Sequence, residues 1–244
     1  MIKFLYEDKD LLVAEKPIGM ESQSSRRFEP DMVSEIKNHL SAETNEKLST
    51  KLSTKNVEPY VGVIHRLDKP VSGIMVYAKN REAAASLSKQ SQSGKMEKTY
   101  YAVVCGQLVD NVGNYVDYLL KDGKMNYSQI VDKDVTGCKR AELHYRVLDT
   151  TEAENHEILS LVKIELLTGR HHQIRVQFAA HGNPLWGDNK YNPMCGGTLA
   201  LSAVSLSFYH PVTGRAMEFS MEPQGEVFKR FKKTENETGF HIEG

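Results

Sequence analysis

Short stretches in which apolar and polar residues alternate, or apolar residues run together, recur along most of this chain. Stretches of this kind, rich in Val, Ile, Leu and Tyr, predict β-strands. They lie at 2–6, 11–16, 61–64, 73–79, 98–105, 126–132, 139–149, 157–167, 199–208 and 216–221. Apolar residues at helical spacing are fewer and predict helices at 31–40, 80–92, 170–180 and 225–231. Strands outnumber helices without regular alternation, which favours an α+β fold with a mainly antiparallel sheet.

The pattern also predicts how the chain is divided. No interior linker interrupts it, so we expect a single domain over residues 1–231 of the 244 residues. Residues 41–58 are polar and contain the near repeat KLST–KLST, which predicts a mobile surface insertion. The polar segment 232–244 is expected to be a disordered tail.

Composition narrows the class of protein. Hydrophobic residues make up 40% and charged residues 26%, which is ordinary for a soluble globular protein with its own core. The three cysteines are widely spaced and form no CxxC pair, so a disulfide framework or structural zinc site is not expected and a reducing cytoplasm fits best. No signal peptide or long apolar span is evident, so we expect no membrane association.

One carboxylate stands out as candidate chemistry. Asp68 lies in a Pro- and Gly-containing turn, HRLDKPVSG, between two apolar runs, where a rigid scaffold can present it to a cleft. About a hundred residues later, GRHHQIR carries Arg170 and Arg175. A fixed carboxylate with arginine donors suffices for an anionic nucleophile, although an isolated Asp in such a turn more often only caps the turn.

These same segments resemble a known family. HRLDKPVSG at 65–73 and GRHHQIRVQ at 169–177 are similar to the signature blocks of the RluA-type pseudouridine synthases, and KTYYAVVCG at 98–106 is similar to a third block. The resemblance covers roughly residues 4–220 in order, which leaves no room for the small RNA-binding domain that precedes many relatives. It implies a stand-alone catalytic domain with a mixed sheet and a central RNA-binding cleft.

The resemblance also implies an activity and its residues. The expected reaction is isomerisation of a specific uridine to pseudouridine in large-subunit ribosomal RNA or transfer RNA, by a cytoplasmic monomer without metal or redox cofactor. Asp68 would be the catalytic carboxylate, Arg175 the cation that orients it, and Tyr100 the aromatic residue that stacks on the base. The residues expected to contact RNA are His65, Arg66, Lys98, Arg170 and Lys16.

Net charge and other residues leave alternatives to weigh. The formal net charge of −1 argues mildly against RNA binding, unless Lys and Arg gather locally. His171, His172 and His181 are not expected to bind metal, because adjacent helical residues diverge by about 100°.

A non-catalytic RNA-binding protein of the same fold stays open as an alternative function. So does a nucleoside hydrolase, which would need a second carboxylate; Asp188 is the only candidate in the motif blocks.

Overall fold

The computed structural model describes residues 2–24, 29–48, 58–153 and 156–231, with only the backbone described at 43–48. The chain forms two compact units. Unit 1 comprises Met1–Met96 and Leu206–Phe219, and unit 2 comprises Glu97–Ser205 and Ser220–Gly244. Within the described ranges, no helix is both long and apolar enough to cross a membrane.

The strands of unit 1 pair antiparallel around one buried strand. They are β1 (Lys3–Glu7), β2 (Leu11–Lys16), β3 (Gly62–Val63) and β4 (Ser72–Ala78). Strand β2 pairs with β1 and with β4, and β3 also pairs with β4. All seven residues of β4 are buried, which fits its uninterrupted run of apolar and small residues.

Two helices of unit 1 each follow a residue whose side chain caps the helix. Helix α1 (Met32–Leu48) follows Asp31, whose Oδ1 accepts the Ser34 N–H at 2.9 Å. Helix α2 (Arg81–Gln92) follows Asn80, whose Oδ1 accepts the Ala83 N–H at 2.8 Å. These capping hydrogen bonds fix the residue at which each helix begins.

Unit 2 is built on an antiparallel sheet. Its strands are β5 (Glu97–Cys105), β6 (Val112–Asp122), β7 (Tyr127–Val131), β8 (Lys139–Glu152) and β9 (Ile158–Leu166), in the spatial order β5-β9-β8-β6-β7. Helix α3 (Gln173–Ala180) follows β9. Strand β10 (Leu201–Tyr209) runs across the unit boundary, β11 (Ala216–Ser220) pairs with β10, and a 3₁₀ helix covers Glu226–Arg230. The predicted α+β fold with a mainly antiparallel sheet is confirmed.

Several element boundaries differ from the sequence prediction. Helix α1 continues eight residues beyond the predicted end at 40, so residues 41–48 of the predicted insertion are helical. Strand β6 was not predicted, because its apolar Val112 and Val116 are exposed and disturb the expected alternation. The 225–231 segment is a 3₁₀ helix rather than an α-helix. Residues 49–57 and 232–244 lie outside the described residues, so the mobile insertion and disordered tail stay predictions, as does the 1–231 domain.

Candidate active-site residues

Asp68 is in an irregular loop between β3 and β4, and the residue is partly exposed. The residue before it, Leu67, is held by one side chain. The Ser22 hydroxyl accepts the Leu67 N–H at 3.0 Å and donates to the Leu67 carbonyl at 2.7 Å. The Asp68 carbonyl in turn accepts the Val71 N–H at 2.9 Å, which closes the following turn. The backbone around the candidate carboxylate is therefore fixed by hydrogen bonds.

Lys16, at the end of β2, holds the other neighbour of Asp68. Its fully buried ammonium donates to the carbonyls of Lys69, Pro17 and Met20 at 3.2, 3.0 and 2.6 Å. Gly19 N–H adds a second bond to the Lys69 carbonyl at 2.9 Å. An ammonium has three donors, so these carbonyls match its capacity. The expectation that Lys16 contacts an RNA phosphate is corrected, because the side chain has no exposed surface.

Electrostatics also connect Lys16 to Asp68. Burial lowers the pKa of Lys16 to about 8, and the negative charges of Asp68 and Glu21 act in the opposite direction. A buried cation beside the loop therefore contributes to the field around the Asp68 carboxylate.

Two other residues of the HRLD segment have contrasting positions. His65 Nε2 accepts the Val76 N–H at 3.3 Å, which ties the start of the loop to β4 and gives this ring a bracing contact. Arg66 is exposed and so is accessible to a nucleic-acid phosphate. The structure thus separates a bracing residue from an accessible cation within one motif.

In unit 2, Lys98 and Tyr100 lie two residues apart on β5 and so face the same side of the sheet. Tyr100 is buried, with 6% of its surface exposed, and burial lowers the pKa of Lys98. Tyr101 instead packs against a core cluster that includes Val103 and Leu159. Strand β5 therefore carries its two candidate functional side chains on one face.

Arg175 is buried on α3 and forms a bidentate ion pair with Asp188. Its Nε donates to Asp188 Oδ2 at 2.8 Å and its Nη2 donates to Oδ1 at 2.7 Å. Burial alone would raise the pKa of Asp188, but the Arg175 bonds and charge, with the backbone N–H groups of Lys190 and Tyr191, hold the pKa below its usual value. The bidentate pair occupies one edge of the guanidinium and sets the direction of the opposite edge.

A turn that only glycine permits places Asp188. Gly187 has φ of +69°, and a Cβ there would lie 2.2 Å from the Thr198 carbonyl oxygen. Sequence reasoning considered Asp188 only as a second catalytic carboxylate and missed its pairing with Arg175. Asp188 ends the segment HGNPLWGD at 181–188, and nothing local indicates which cation this aspartate, thirteen residues beyond Arg175, will bind.

The ring of Tyr191 lies near the same guanidinium. The Tyr191 ring lies 5.4 Å from the Arg175 guanidinium carbon, and its hydroxyl is 3.0 Å from His172 Nδ1. That hydroxyl also accepts the Ser128 N–H at 2.9 Å, which ties it to β7. Sequence reasoning did not identify Tyr191, which no motif block includes.

The two adjacent histidines do not lie on the helix as expected. His172 precedes α3 in a left-handed conformation with φ of 53°, and the His171 and His172 rings stack with centroids 3.7 Å apart. The ring nitrogens of His171 bond Ser128 Oγ at 2.8 Å and Asn126 Oδ1 at 2.9 Å. The expected 100° divergence was therefore wrong, and His171 is engaged in hydrogen bonds rather than aimed at a metal.

Arg170 is exposed and its position is set by the backbone. Its Nε donates to the Arg140 carbonyl at 2.9 Å, and its N–H donates to Gln173 Oε1 at 3.0 Å. Gln173 is buried and also donates to the Glu142 carbonyl at 3.1 Å. The motif glutamine is thus a brace for the loop that presents Arg170.

Among the described residues, one cluster has metal-ligand residue types: Asp8, Asp10 and His210. His210 Nδ1 accepts the N–H groups of Val212 and Thr213 at 3.2 and 3.1 Å, so the ring proton is on Nε2. That Nε2 donates to Asp8 at 2.7 Å. A neutral His210 therefore has no lone pair directed at a cation, and the cluster fits a hydrogen-bond network better than a metal site.

The sequence of the chain is similar to those of proteins of one known family. Residues 10–180 match the family described as RNA pseudouridylate synthase. A "Ribosomal large subunit pseudouridine synthase D" of Zymomonas mobilis is 29% identical over 95% of this chain and 72% of the relative. A "Dual-specificity RNA pseudouridine synthase RluA" of Vibrio parahaemolyticus is 32% identical over 85% of this chain and 77% of the relative.

A solved structure supports the same fold. The chain superposes on "Human RNA Pseudouridylate Synthase Domain Containing 4" with a TM-score of 0.68 at 20% identity, over 93% of this chain and 90% of the other. At that identity the likeness establishes the fold alone. The predicted pseudouridine synthase fold and the resemblance to the RluA-type enzymes are both confirmed.

Proposed function

Because the chain belongs to the RNA pseudouridylate synthase family, we propose that Asp68 is the carboxylate with which it converts a specific uridine into pseudouridine. The family's reaction is an isomerisation on RNA. The bond between C1′ and N1 of the uridine breaks, a bond between C1′ and C5 forms, C5 loses a proton and N1 gains one. An ionised carboxylate can attack C1′, add to the uracil ring or abstract the 2′ proton.

The observation that carries this proposal is the way the Asp68 loop is held. Hydrogen bonds with Ser22 and Lys16 fix the residues on either side, while Asp68 itself stays partly exposed. A reacting group needs this combination of a fixed backbone and access to substrate. The same proposal gives Arg175 the role of orienting Asp68 and Tyr100 the role of stacking on the base.

The substrate is proposed to be a uridine of large-subunit ribosomal RNA or of transfer RNA. The name of the Zymomonas relative supports ribosomal RNA, and that of the Vibrio relative indicates an enzyme with two specificities. Exposed Arg66 and Arg170 supply accessible cations for phosphates. The target uridine must leave its stack to reach a carboxylate, which costs least in a loop. A cytoplasmic monomer is part of the same proposal.

A nucleoside hydrolase is the weaker alternative for the same carboxylate. It needs a second carboxylic acid that can donate a proton near neutral pH. Asp188 is 1% exposed, paired with Arg175 and held at a lowered pKa, so it is suited to fixing a cation rather than to protonating a leaving group.

The test is the Asp68→Asn variant assayed on large-subunit ribosomal RNA and transfer RNA transcripts, with pseudouridine and free uracil quantified by mass spectrometry. Asn keeps the shape and removes the charge, so we expect turnover to fall at least about a thousandfold with RNA affinity retained. Asp110→Asn, at an exposed position, is the matched control. Asp68→Asn activity within tenfold of wild type would contradict the role of Asp68, and release of uracil would favour the hydrolase.

Mapping pseudouridines in total RNA with and without the gene tests the substrate separately. We expect one or a few positions in ribosomal or transfer RNA to disappear on deletion and return with wild type, but not with Asp68→Asn. Unchanged maps of both RNA classes would contradict the proposed substrates and leave the in vitro result on Asp68 standing.

A further inference from the structure

One buried hydroxyl binds both backbone groups of the residue before Asp68. Ser22 Oγ accepts the Leu67 N–H at 3.0 Å and donates to the Leu67 carbonyl at 2.7 Å. A serine hydroxyl has one donor and two acceptor lone pairs, so it can satisfy both groups at once. Ser22 is 4% exposed and Leu67 is 6% exposed, so water has little access to replace either bond.

The position of this hydroxyl is set by helix α1. Residues on either side of Ser22 are tied to the start of that helix. The Met32 N–H donates to the Glu21 carbonyl at 3.0 Å, and the Ser24 N–H donates to Asp31 Oδ2 at 2.9 Å. Because Asp31 also caps α1, the segment that carries Ser22 is anchored to a regular element rather than to another loop.

We propose that Ser22 is a positioning residue for Asp68, acting through the Leu67 peptide. The inference rests on Asp68 being the catalytic carboxylate. With Leu67 fixed at both its N–H and its carbonyl, the peptide entering Asp68 has one orientation, and the direction of the Asp68 Cα–Cβ bond follows from it. The Ser22 hydroxyl acts on Asp68 through Leu67, so Ser22 is a positioning residue and not a catalytic one.

The remaining contacts of the loop explain why this role is separable from folding. The Lys69 carbonyl is held independently by the Gly19 N–H and the Lys16 ammonium, and the Asp68 carbonyl accepts from Val71. Removing the Ser22 hydroxyl therefore frees the backbone of Leu67, which precedes Asp68. The carbonyl of Lys69, which follows Asp68, keeps its hydrogen bonds. Leu67 would then find new partners by a small rotation, which moves the carboxylate.

The test compares Ser22→Ala with Ser86→Ala, a matched control. Ser86 lies on α2 in the same unit, and its hydroxyl donates to the Pro211 carbonyl at 3.4 Å. We expect Ser22→Ala to lower kcat by about 10- to 100-fold, the size expected when a reacting group is misplaced by less than 1 Å. KM for RNA should stay within about twofold, because no substrate contact is lost. Ser86→Ala should retain wild-type kcat.

Three further measurements separate positioning from loss of stability. Hydrogen exchange at the Leu67 amide should accelerate in Ser22→Ala and not in Ser86→Ala. Ser22→Cys, with a weaker donor and acceptor of similar size, should give an intermediate kcat. Leu87→Ala, at a buried position of α2, supplies a variant with lowered melting temperature in which kcat at permissive temperature should be retained.

The outcomes are distinct. A kcat for Ser22→Ala within twofold of wild type, an effect on KM alone, or an equal loss of kcat in Leu87→Ala would overturn the positioning role. If Asp68→Asn stays active, the proposed function fails whatever Ser22 does. If Asp68→Asn is inactive and Ser22→Ala is normal, only this inference fails.

Discussion

At the scale of single residues, the most consequential contact in unit 2 is the buried pair of Arg175 and Asp188. Side-chain exposures of 7% and 0% mean that both charges have left water, which is costly unless the geometry is good. Two short parallel bonds meet that condition. A pair of this kind adds little net stability but fixes a guanidinium in one orientation, which a catalytic role for Arg175 requires.

The Arg175→Met variant should reverse the pH dependence that this pair contributes. In the wild type the pKa of Asp188 is lowered, so its stabilising contribution is present above the pKa of the unfolded chain and is lost as pH falls through the folded value. Without Arg175, burial would raise the pKa of Asp188, and stability should improve as pH falls from 7 towards 5. Urea unfolding at both pH values measures this. We expect a loss of about 3 kcal/mol at pH 7.

The double variant Arg175→Met with Asp188→Asn is the control for that prediction. Removing both charges leaves no uncompensated carboxylate, so part of the stability at pH 7 should return while catalysis stays impaired. If Arg175→Met alone showed the wild-type pH dependence, the ion pair would not be what holds the charge of Asp188.

At the scale of elements, the turn that follows β2 acts as a frame for the Asp68 loop. Lys16 at the strand end and Ser22 beyond the turn contact the loop on either side of Asp68. Strand β2 is itself fixed by pairing with β1 and β4, so the sheet holds the turn that follows β2 in place. This gives the turn at Lys16–Gly19 a structural function that the phosphate-binding expectation for Lys16 did not include.

The buried Lys16 predicts an alkaline change in stability. Its pKa is lowered from the ordinary value of 10.5 to about 8, so between these values the unfolded chain binds more protons than the folded one. Stability therefore rises with pH across that window, because the cost of burying the charge is present below pH 8 and is relieved above it. Relative to Lys16→Met, the wild type should gain up to about 3 kcal/mol between pH 7 and 10.5 in urea unfolding.

Subtracting the Lys16→Met curve removes the other groups that titrate in this range, notably tyrosines and exposed lysines. An equal pH dependence in both proteins would mean that the three carbonyls and the charge of Asp68 keep Lys16 protonated throughout.

At the scale of the whole molecule, a net charge of −1 has to be reconciled with an RNA substrate. The structure reduces the number of cations that can bind an RNA phosphate, since Lys16 is buried against carbonyls and Arg175 is paired with Asp188. Arg66, Arg170 and Lys98 remain from the residues expected to bind RNA. Local placement rather than total charge would then determine affinity.

RNA binding should therefore depend on salt with a modest slope. Three contacts to single-stranded phosphates correspond to a slope of about −2 in log affinity against log salt. Arg66→Ala should make that slope shallower by about 0.7 and weaken binding to all uridine-containing RNAs alike. Fluorescence anisotropy titrations from low to high salt measure both quantities. Lys229→Ala, at an exposed cation with 73% side-chain exposure, is the control and should leave the slope unchanged.

Much of this protein could be predicted from the sequence alone. Most strand and helix positions, though not that of β6, followed from periodicity, because burying one face of an element imposes a local repeat on its residues. The caps Asp31 and Asn80 were predictable for the same reason, since a cap bonds to an amide three residues away. Ordered motif blocks identified the family and its isomerase activity, and they supplied the candidates Asp68, Tyr100 and Arg175, whose roles stay predictions.

The tertiary structure decided which side chains hold those candidates. Ser22 and Leu67 are 45 residues apart, Lys16 and Lys69 are 53 apart, and Asp188 lies 13 residues beyond Arg175. None of these separations follows a helical or strand period, so no local pattern marks the partners. The same lysine could bind phosphate or brace a turn, and the burial imposed by neighbouring segments of the fold determined which.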